Sequence, residues 1–474
     1  MDLTGFGYLM FVVVAWLGDR ALADRQRGRR TWLTACSYYF YATIDWRFAG
    51  LLLGLTAINH AAGTRIASSD DPRVRRTALA MAVGASLAVL FWFKYYNFFA
   101  ESVNRLVGLV GSGPALPIVD VLLPVGISFI TFQAITYPLD LYLGRLRERC
   151  GFADFVLFMA FFPRLLSGPI VRASYFLPQL GGAPPVDHER AHLEGVALVM
   201  RGLIKKVVLA DTIGAAIVDP VFAAPGLYST ASVVLGAVAY SLQVYLDLSG
   251  YTDMALGVAR LFGYRLPGNF DRPYLATSIA NFWQRWHITM SAFFRDYLYR
   301  GLSAAFPDRD TPNLLVVFVL IGLWHGAGWN FVLYGAIHGS MVAIEHVRTR
   351  RRQAAGVAPT VPRGVALALR VSLVFGIVVA TRVLFRCDGV EEAFAYYGAM
   401  LGSSSGSALA AHPAGLAALV AGIALHLSPT AWRDALTRRI AAAPPIAVGA
   451  LFVAVCYLVN AFGSSGSGFI YFNF

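Results

Sequence analysis

The chain has 474 residues, of which 57% are hydrophobic and only 14% are charged, and its net charge is +12. Soluble domains carry about a quarter charged residues, so this composition excludes an ordinary soluble enzyme and a disordered chain. The apolar residues suffice for at most about 13 transmembrane helices of about 20 residues each. The sequence therefore predicts an all-α polytopic membrane protein.

The positive charge lies in short arginine clusters between apolar runs. Only three of the 39 basic residues are lysine, and the arginines do not follow one soluble face. Such clusters mark cytoplasmic loops under the positive-inside rule, so we expect no nucleic-acid partner. The first cluster, at 20–30, follows the apolar run 5–17, which predicts an external N-terminus and a cytoplasmic loop.

Apolar runs recur along the whole chain with short polar breaks. They cover residues 4–18, 31–64, 78–99, 104–111, 117–143, 152–171, 195–219, 229–263, 275–305, 312–346, 365–386, 393–402, 413–428 and 441–462. Some could form hairpins and others are too short to span, which predicts about 11 transmembrane helices plus re-entrant or interfacial helices. We expect one membrane-embedded domain over 1–474, divided into N-terminal scaffold helices, a catalytic core and C-terminal scaffold helices: 1–115, 116–346 and 347–474.

Polar and ionisable residues crowd into the segment from about 120 to 340. At membrane depth such groups cost several kcal/mol unless they are paired or face water. Their crowding predicts a polar cavity within a helical bundle. Gln243, Asp247 and Asp253, with Tyr245 and Tyr251, either line this cavity or satisfy one another between helices.

One candidate for chemistry is the aromatic run from Phe282 to Tyr299. Read as a continuous helix, it places His287 and Ser291 on one face. Arg285 and Arg295 are candidates to hold an anionic group, and Arg295 adjoins Asp296. The alternative is an interfacial helix with a buried, hydrogen-bonded histidine.

The second candidate is the run from Leu323 to Gly339, in which His325 follows a purely apolar stretch and Trp324. Histidine takes or gives a proton near neutral pH, which favours a catalytic role over a structural bond to a carbonyl. His325 and His338 lie about 220° apart around a continuous helix. They can share a face only if the helix breaks near Gly326–Asn330.

Several classes of site have no signal in the sequence. It contains no phosphate-binding glycine loop, no nucleophile elbow and no dinucleotide fingerprint, which disfavours ATP hydrolysis, nucleotide redox chemistry and an α/β-hydrolase mechanism. The four cysteines, and the loop group Asp187, His188 and His192, lack metal-ligand spacing. We therefore expect no metal site.

Several stretches together resemble the membrane-bound O-acyltransferases, in the bacterial branch of the alginate O-acetylation and teichoic-acid D-alanylation proteins. They are Asn269–Ser278, Phe282–His287, Phe294–Tyr297 and Leu323–Asn330, with support from Leu123–Phe129, Phe162–Ile170, Asp247–Met254 and Phe469–Phe474. The resemblance covers nearly the whole chain and is closer to the alginate type.

The resemblance implies a funnel-shaped helical bundle with a thin centre, which transfers an acyl group from a thioester to a hydroxyl. It implies that His325 is the general base or an acyl relay, that His287 is the second polar position, and that His338 is a further histidine of this branch. The residues expected to support these or to line the site are His338, Asn330, Trp324, Trp286, Ser291, Arg285, Arg295, Asp296, Asp247 and Gln243.

The resemblance also implies the surroundings of the reaction. The expected location is the bacterial inner membrane, with a cytoplasmic donor that is acetyl-CoA or another acyl thioester and no bound cofactor. The expected acceptor is an exported polysaccharide such as alginate, reached through a periplasmic acyltransferase partner. Two alternatives stay open: D-alanyl transfer from a carrier protein to teichoic acid, and a polysaccharide or ion transporter.

Overall fold

The computed structural model describes residues 4–111, 113–165, 168–181, 188–358, 362–402, 406–410 and 413–463. Asp187, the terminal stretch Phe469–Phe474 and two residues of Phe162–Ile170 lie outside these ranges. The described residues form helices and contain no β-strand, apart from one isolated bridge between Tyr228 and Ser407. This confirms the prediction of an all-α chain.

The chain divides into two compact units, Met1–Val196 with Ala255–Pro267, and Ala197–Met254 with Gly268–Phe474. The first unit contains eight complete α-helices: α1 Phe6–Ala21, α2 Gln26–Ala42, α3 Trp46–Ala67, α4 Pro72–Leu90, α5 Tyr96–Gly108, α6 Ile127–Tyr142, α7 Phe152–Ala160 and α8 Ala173–Gly181. The division falls within two longer helices, α9 His188–Leu203 and α11 Thr230–Leu261.

The remaining helices belong to the second unit. They are α10 Asp219–Ala223, α12 Ile279–Arg285, α13 Ile288–Phe293, α14 Arg300–Ala305, α15 Asp310–His325, α16 Trp329–Ala354, α17 Gly364–Arg386, α18 Val390–Leu401, α19 Pro413–Leu427, α20 Thr430–Ala441 and α21 Pro445–Phe462. Three π-helical segments interrupt the α-helices of this unit, at Ile204–Asp211, Gly214–Val218 and Phe294–Tyr299.

Buried polar groups of the first unit pair with one another. Arg164 donates to Oε1 of Gln133 at 2.6 Å, and Gln133 donates to the carbonyl of Phe158 at 2.8 Å. The Arg164 guanidinium also lies 4.6 Å from the centroid of the Phe158 ring. These contacts give the Arg164 and Gln133 side chains partners within the packing, which is the usual condition for burying polar groups.

In the described chain, four helices are long and apolar enough to cross a membrane: Pro72–Gly108, Thr230–Leu261, Gly364–Arg386 and Pro445–Phe462. Counting α19 and α20 as one span bent by 100° gives a fifth. Apolar side chains on α17 and α21, such as Leu369 and Val453, are largely exposed, as lipid-facing residues are. The chain is therefore a helical membrane protein, and the larger number of about 11 spans stays a prediction.

Candidate active site

A tightly packed hairpin of α15 and α16 carries two of the predicted histidines. α15 ends at His325, and α16 begins at Trp329 after three residues that include extended Gly326 and Gly328. The helix break that the two histidines require is thus confirmed. Glycine lets the helices approach closely, because a Cβ at Gly335 would lie 2.9 Å from Cα of Val319 and overlap the carbonyl of Phe318.

His325 is buried among aromatic rings at the end of this hairpin. Its ring centroid lies 4.9 Å from that of Trp324, 5.1 Å from Phe385 and 6.3 Å from Tyr334. Asn330 donates to the carbonyls of Leu384 and Cys387 at 3.0 and 2.9 Å. This pair of bonds ties the start of α16 to the end of α17 and so holds Phe385 against His325.

His338 is hydrogen-bonded through both ring nitrogens. The indole of Trp283 donates to its Nδ1 at 3.3 Å, so the neutral ring carries its proton on Nε2. That Nε2 donates to Oγ1 of Thr381 at 2.9 Å. The ring of Tyr334 contacts both His338, at 4.5 Å, and His325, at 6.3 Å between centroids. His338 is therefore held as a positioned group beside Tyr334, and neither nitrogen is available as a base.

The prediction of a continuous helix from Phe282 to Tyr299 is wrong. α12 ends at Arg285, His287 has left-handed backbone angles (φ 46°, ψ 52°), and α13 begins at Ile288. The break is stabilised from outside the run, since the carbonyl of Asn269 accepts from the amide of Ile288 at 2.9 Å. The Asn269 side chain accepts from the amide of Thr289 at 3.0 Å.

His287 and Ser291 consequently do not share a face of one helix. The amide of Ser291 donates to the carbonyl of His287 at 2.9 Å, and its hydroxyl donates to the carbonyl of Trp286 at 3.2 Å. The imidazole of His287 instead meets the ring of Trp324 at 5.6 Å between centroids. Trp324 contacts His325 as well, so the structure brings the two predicted catalytic histidines to one aromatic side chain.

Burial, together with the positive charge of Arg382, lowers the pKa of the His287 imidazole to about 3. Desolvation acts this way because it disfavours the charged form of a group. His287 lies outside the candidate spans, and it is neutral at pH 7. It can therefore accept or donate a hydrogen bond without adding a second positive charge to the site.

Arg382 is the residue of this cluster that the sequence analysis missed. It lies near the end of α17, is buried, and its guanidinium carbon is 4.2 Å from the centroid of the Trp286 ring. The same carbon is 5.2 Å from the ring of Phe385, which contacts His325. An arginine late in an apolar span was the available signal, because charge within a membrane helix is costly and marks function.

A cavity of about 1080 Å³ lies beside this cluster in the second unit. Its wall includes Trp283, the donor to His338, together with the predicted Ser291 and Arg295. Four arginines line it: Arg295, Arg348, Arg352 and Arg370. Neither His325 nor His287 is part of this wall. His338 is absent from it as well, and Trp283, which lines the cavity and bonds His338, stands between the two.

The remaining predicted residues have other partners. Arg285 donates to Asn281 at 3.1 Å and to the carbonyl of Asp271 at 3.2 Å, so it supports the turn before α12. Arg295 pairs with Asp296 at 2.9 Å and still reaches the cavity. Of the two arginines proposed to hold an anion, Arg295 thus lines the described cavity and Arg285 does not.

Asp247 and Gln243 belong to a separate place on α11. Asp247 pairs with Lys206 at 2.6 Å, and Lys206 also pairs with Asp211 at 2.7 Å. Gln243 packs against Gly214 of the neighbouring π-helical segment. Asp247 thus pairs with a lysine, and neither Asp247 nor Gln243 is part of the wall of the described cavity.

A second ion cluster surrounds Asp253, six residues further along α11. Asp253 pairs with Arg201 at 2.6 Å and with Lys205 at 2.7 Å. The sequence analysis did not single out Arg201, Lys205 or Lys206. The signal was two adjacent lysines inside an apolar run, since buried lysine needs a carboxylate partner.

Comparison with known proteins supplies the family. A family model described as the membrane-bound O-acyltransferase family matches residues 142–387, which include the described hairpin and Arg382. A protein of Azotobacter vinelandii named probable alginate O-acetylase is 38% identical over 380 residues, covering 79% of this chain and 73% of that protein.

Two further relatives carry different names. The peptidoglycan O-acetyltransferase of Helicobacter pylori is 31% identical over 427 residues, covering 83% of this chain and 78% of that protein. The teichoic acid D-alanyltransferase of Streptococcus thermophilus is 30% identical over 281 residues, covering 55% of this chain and 67% of that protein. The chain therefore belongs to the membrane-bound O-acyltransferase family, and it is a membrane O-acyltransferase.

Proposed function

We propose that this chain moves an acetyl group from a cytoplasmic thioester, acetyl-CoA, across the bacterial inner membrane for O-acetylation of an exported polysaccharide such as alginate. The observation that carries the proposal is His325, buried at the end of the apolar helix α15 and surrounded by the Trp324, Tyr334 and Phe385 rings. The names of the relatives over most of the chain support the choice of a polysaccharide acceptor.

The arginine-lined cavity supports a phosphate-bearing donor. Its volume of about 1080 Å³ is large enough for a sizeable small molecule. Arginine binds phosphate through paired N–H donors, and Arg348, Arg352 and Arg370 present such groups at its wall. Arginine-rich regions lie on the cytoplasmic side under the positive-inside rule, which matches a cytoplasmic donor.

In the proposed reaction an acceptor hydroxyl attacks the thioester carbonyl while His325 takes the hydroxyl proton. The new C–O bond forms, the C–S bond breaks, and the leaving thiolate takes the proton from His325. A hydroxyl is a poor nucleophile until a base removes this proton. A periplasmic acyltransferase partner then completes delivery of the acetyl group to the polymer. About 11 transmembrane helices surround the site.

The test is the acetyl content of exported polymer, measured by proton NMR, in a deletion strain that expresses His325→Ala. We expect polymer-bound acetyl to fall at least about 100-fold at unchanged polymer yield, the scale of a lost general base. His60→Ala is the matched control, because the described hydrogen bond of the His60 ring joins Nε2 to the Cys150 carbonyl at 3.1 Å, and His60 lies in the other unit. Expression is matched by immunoblot.

Each result decides between the alternatives. Normal acetylation in the His325→Ala strain would contradict the role of His325. Loss of the polymer itself would contradict a role confined to acetylation of the polymer. D-alanine esters in place of acetyl, or acetyl confined to peptidoglycan, would move the acceptor to that of the corresponding relative.

A further inference from the structure

Arg382 has no assigned role, yet its position is costly. It lies in α17, a candidate membrane span, and its side chain is buried. Placing an arginine within a membrane helix costs several kcal/mol at least on insertion scales. Such a residue is retained where its charge performs a task, and here the nearby groups are those of the proposed reaction.

The guanidinium lies between the two catalytic candidates in the contact network. Its carbon is 4.2 Å from the ring of Trp286, the residue before His287, and 5.2 Å from the ring of Phe385. Phe385 in turn lies 5.1 Å from the ring of His325. The positive charge of Arg382 is therefore separated from each histidine by a single aromatic residue, in a buried site that excludes most water.

Tyr334 supplies an independent observation at the same place. Its ring contacts His325, His338 and Phe385, and its hydroxyl is buried without a hydrogen-bond partner in the described part of the chain. An unsatisfied buried hydroxyl costs about 1–3 kcal/mol. A hydroxyl donor without a partner beside a catalytic candidate indicates that a polar atom of a bound ligand accepts its hydrogen bond.

We propose that Arg382 and the Tyr334 hydroxyl together bind the carbonyl oxygen of the acyl group and stabilise the negative charge that develops on it. This inference rests on the proposed function. As the hydroxyl oxygen bonds to the carbonyl carbon, the carbonyl electron pair moves to oxygen and the proton moves to His325. The oxyanion then collapses, the C–S bond breaks, and the thiolate takes the proton. Fixed donors in a dry site stabilise such an oxyanion strongly.

Tyr334→Phe is the sharpest variant, because it removes one oxygen that makes no described hydrogen bond and keeps the ring. A purely structural role predicts no loss. Tyr396→Phe is the matched control. It also removes one buried tyrosine hydroxyl, but that hydroxyl donates a structural hydrogen bond to the Val233 carbonyl at 2.8 Å. Arg382→Met and Arg382→Lys complete the series.

The rate of polymer acylation is measured in the deletion strain. On the purified full chain, kcat and KM are measured for thiol release from acetyl-CoA with alginate present as the hydroxyl acceptor. We expect kcat to fall about 10-fold or more in Tyr334→Phe and about 100-fold or more in Arg382→Met, with KM nearly unchanged. Arg382→Lys should recover part of the loss, and Tyr396→Phe should match wild type. The melting temperature of Tyr334→Phe should equal or exceed that of wild type.

Wild-type rates in both Tyr334→Phe and Arg382→Met would overturn this inference and leave the proposed function standing. So would a loss confined to KM, or Arg382→Lys no better than Arg382→Met. A wild-type chain that restores no polymer acylation would overturn the proposed function, and the inference with it.

Discussion

At the scale of single residues, the backbone of His287 is strained. His287 and Arg272 are the two non-glycine residues with positive φ in the described chain, at 46° and 42°. A left-handed conformation costs a non-glycine residue about 1–2 kcal/mol, and such strain collects at functional sites. The hydrogen bonds that Asn269 accepts from the amides of Ile288 and Thr289 hold His287 in this conformation, in which its ring meets Trp324.

We expect His287→Ala to be less stable than His287→Gly by about 1 kcal/mol, because only glycine adopts this backbone without strain. Thermal unfolding of the purified chain measures the difference. The same comparison at Arg272, with alanine and glycine, is the control for the backbone effect. Both His287 variants should lose polymer acylation while both Arg272 variants keep it; equal stability of the two His287 variants would contradict the strain.

The sequence identified His325, His287 and His338 as individuals, since histidine in apolar surroundings is a strong local signal. It could not identify Arg382 as their neighbour. The contact between Arg382 and Trp286 joins residues nearly a hundred positions apart, and no local pattern encodes such a contact. Nor could it show that both nitrogens of His338 are already bonded, because Trp283 and Thr381 come from other helices.

At the scale of elements, the close approach of α15 and α16 positions His325. Gly335 faces the backbone of Phe318 and Val319 with no room for a side chain. Backbone atoms cannot turn aside as side chains can, so any larger residue must move one helix. Because His325 is the last residue of α15, such a movement displaces the histidine directly.

We expect Gly335→Ala to destabilise the chain by about 1–3 kcal/mol, the usual cost of overpacking, and to reduce acylation. Gly376→Ala in α17 is the control, because a Cβ there meets nothing within 4 Å. That control should be neutral or slightly stabilising, since alanine favours helix over glycine. Thermal unfolding and polymer acetyl content are the readouts, and a fully active, stable Gly335→Ala chain would refute the packing argument.

The two histidine-containing runs differ in how closely their local residue patterns match the observed helices. Gly326 and Gly328 marked the break after His325, and the structure breaks there. The run from Phe282 to Tyr299 has no glycine or proline, so its residues favour a continuous helix. Asn269 overrides this preference by bonding the amides that would otherwise extend the helix through His287.

At the scale of the whole molecule, charge predicts the membrane orientation. Arginine clusters at 20–30 and 348–352 separate apolar segments, and the positive-inside rule predicts that both lie in the cytoplasm. Arg25 and Arg351 are exposed within them, so each can be replaced without loss of packing.

We expect cysteines introduced by Arg25→Cys or Arg351→Cys to resist a membrane-impermeant maleimide in intact spheroplasts and to react after lysis. Cys150 and Cys456, which are partly exposed, are first replaced by serine to remove background labelling. Cys36 and Cys387 are buried and can stay. Labelling of either introduced cysteine in intact spheroplasts would reverse the assigned orientation of that segment.

The sequence by itself determined the class, because membrane helices need long apolar runs and composition records them directly. It also determined the family and the catalytic histidine candidates, since those depend on short local motifs. Only the tertiary structure decided the break at His287, the bonded state of His338, the ion pairs of Asp247 and Asp253, and the place of Arg382. Each of these depends on contacts between distant segments, and their energies act only after the helices have packed.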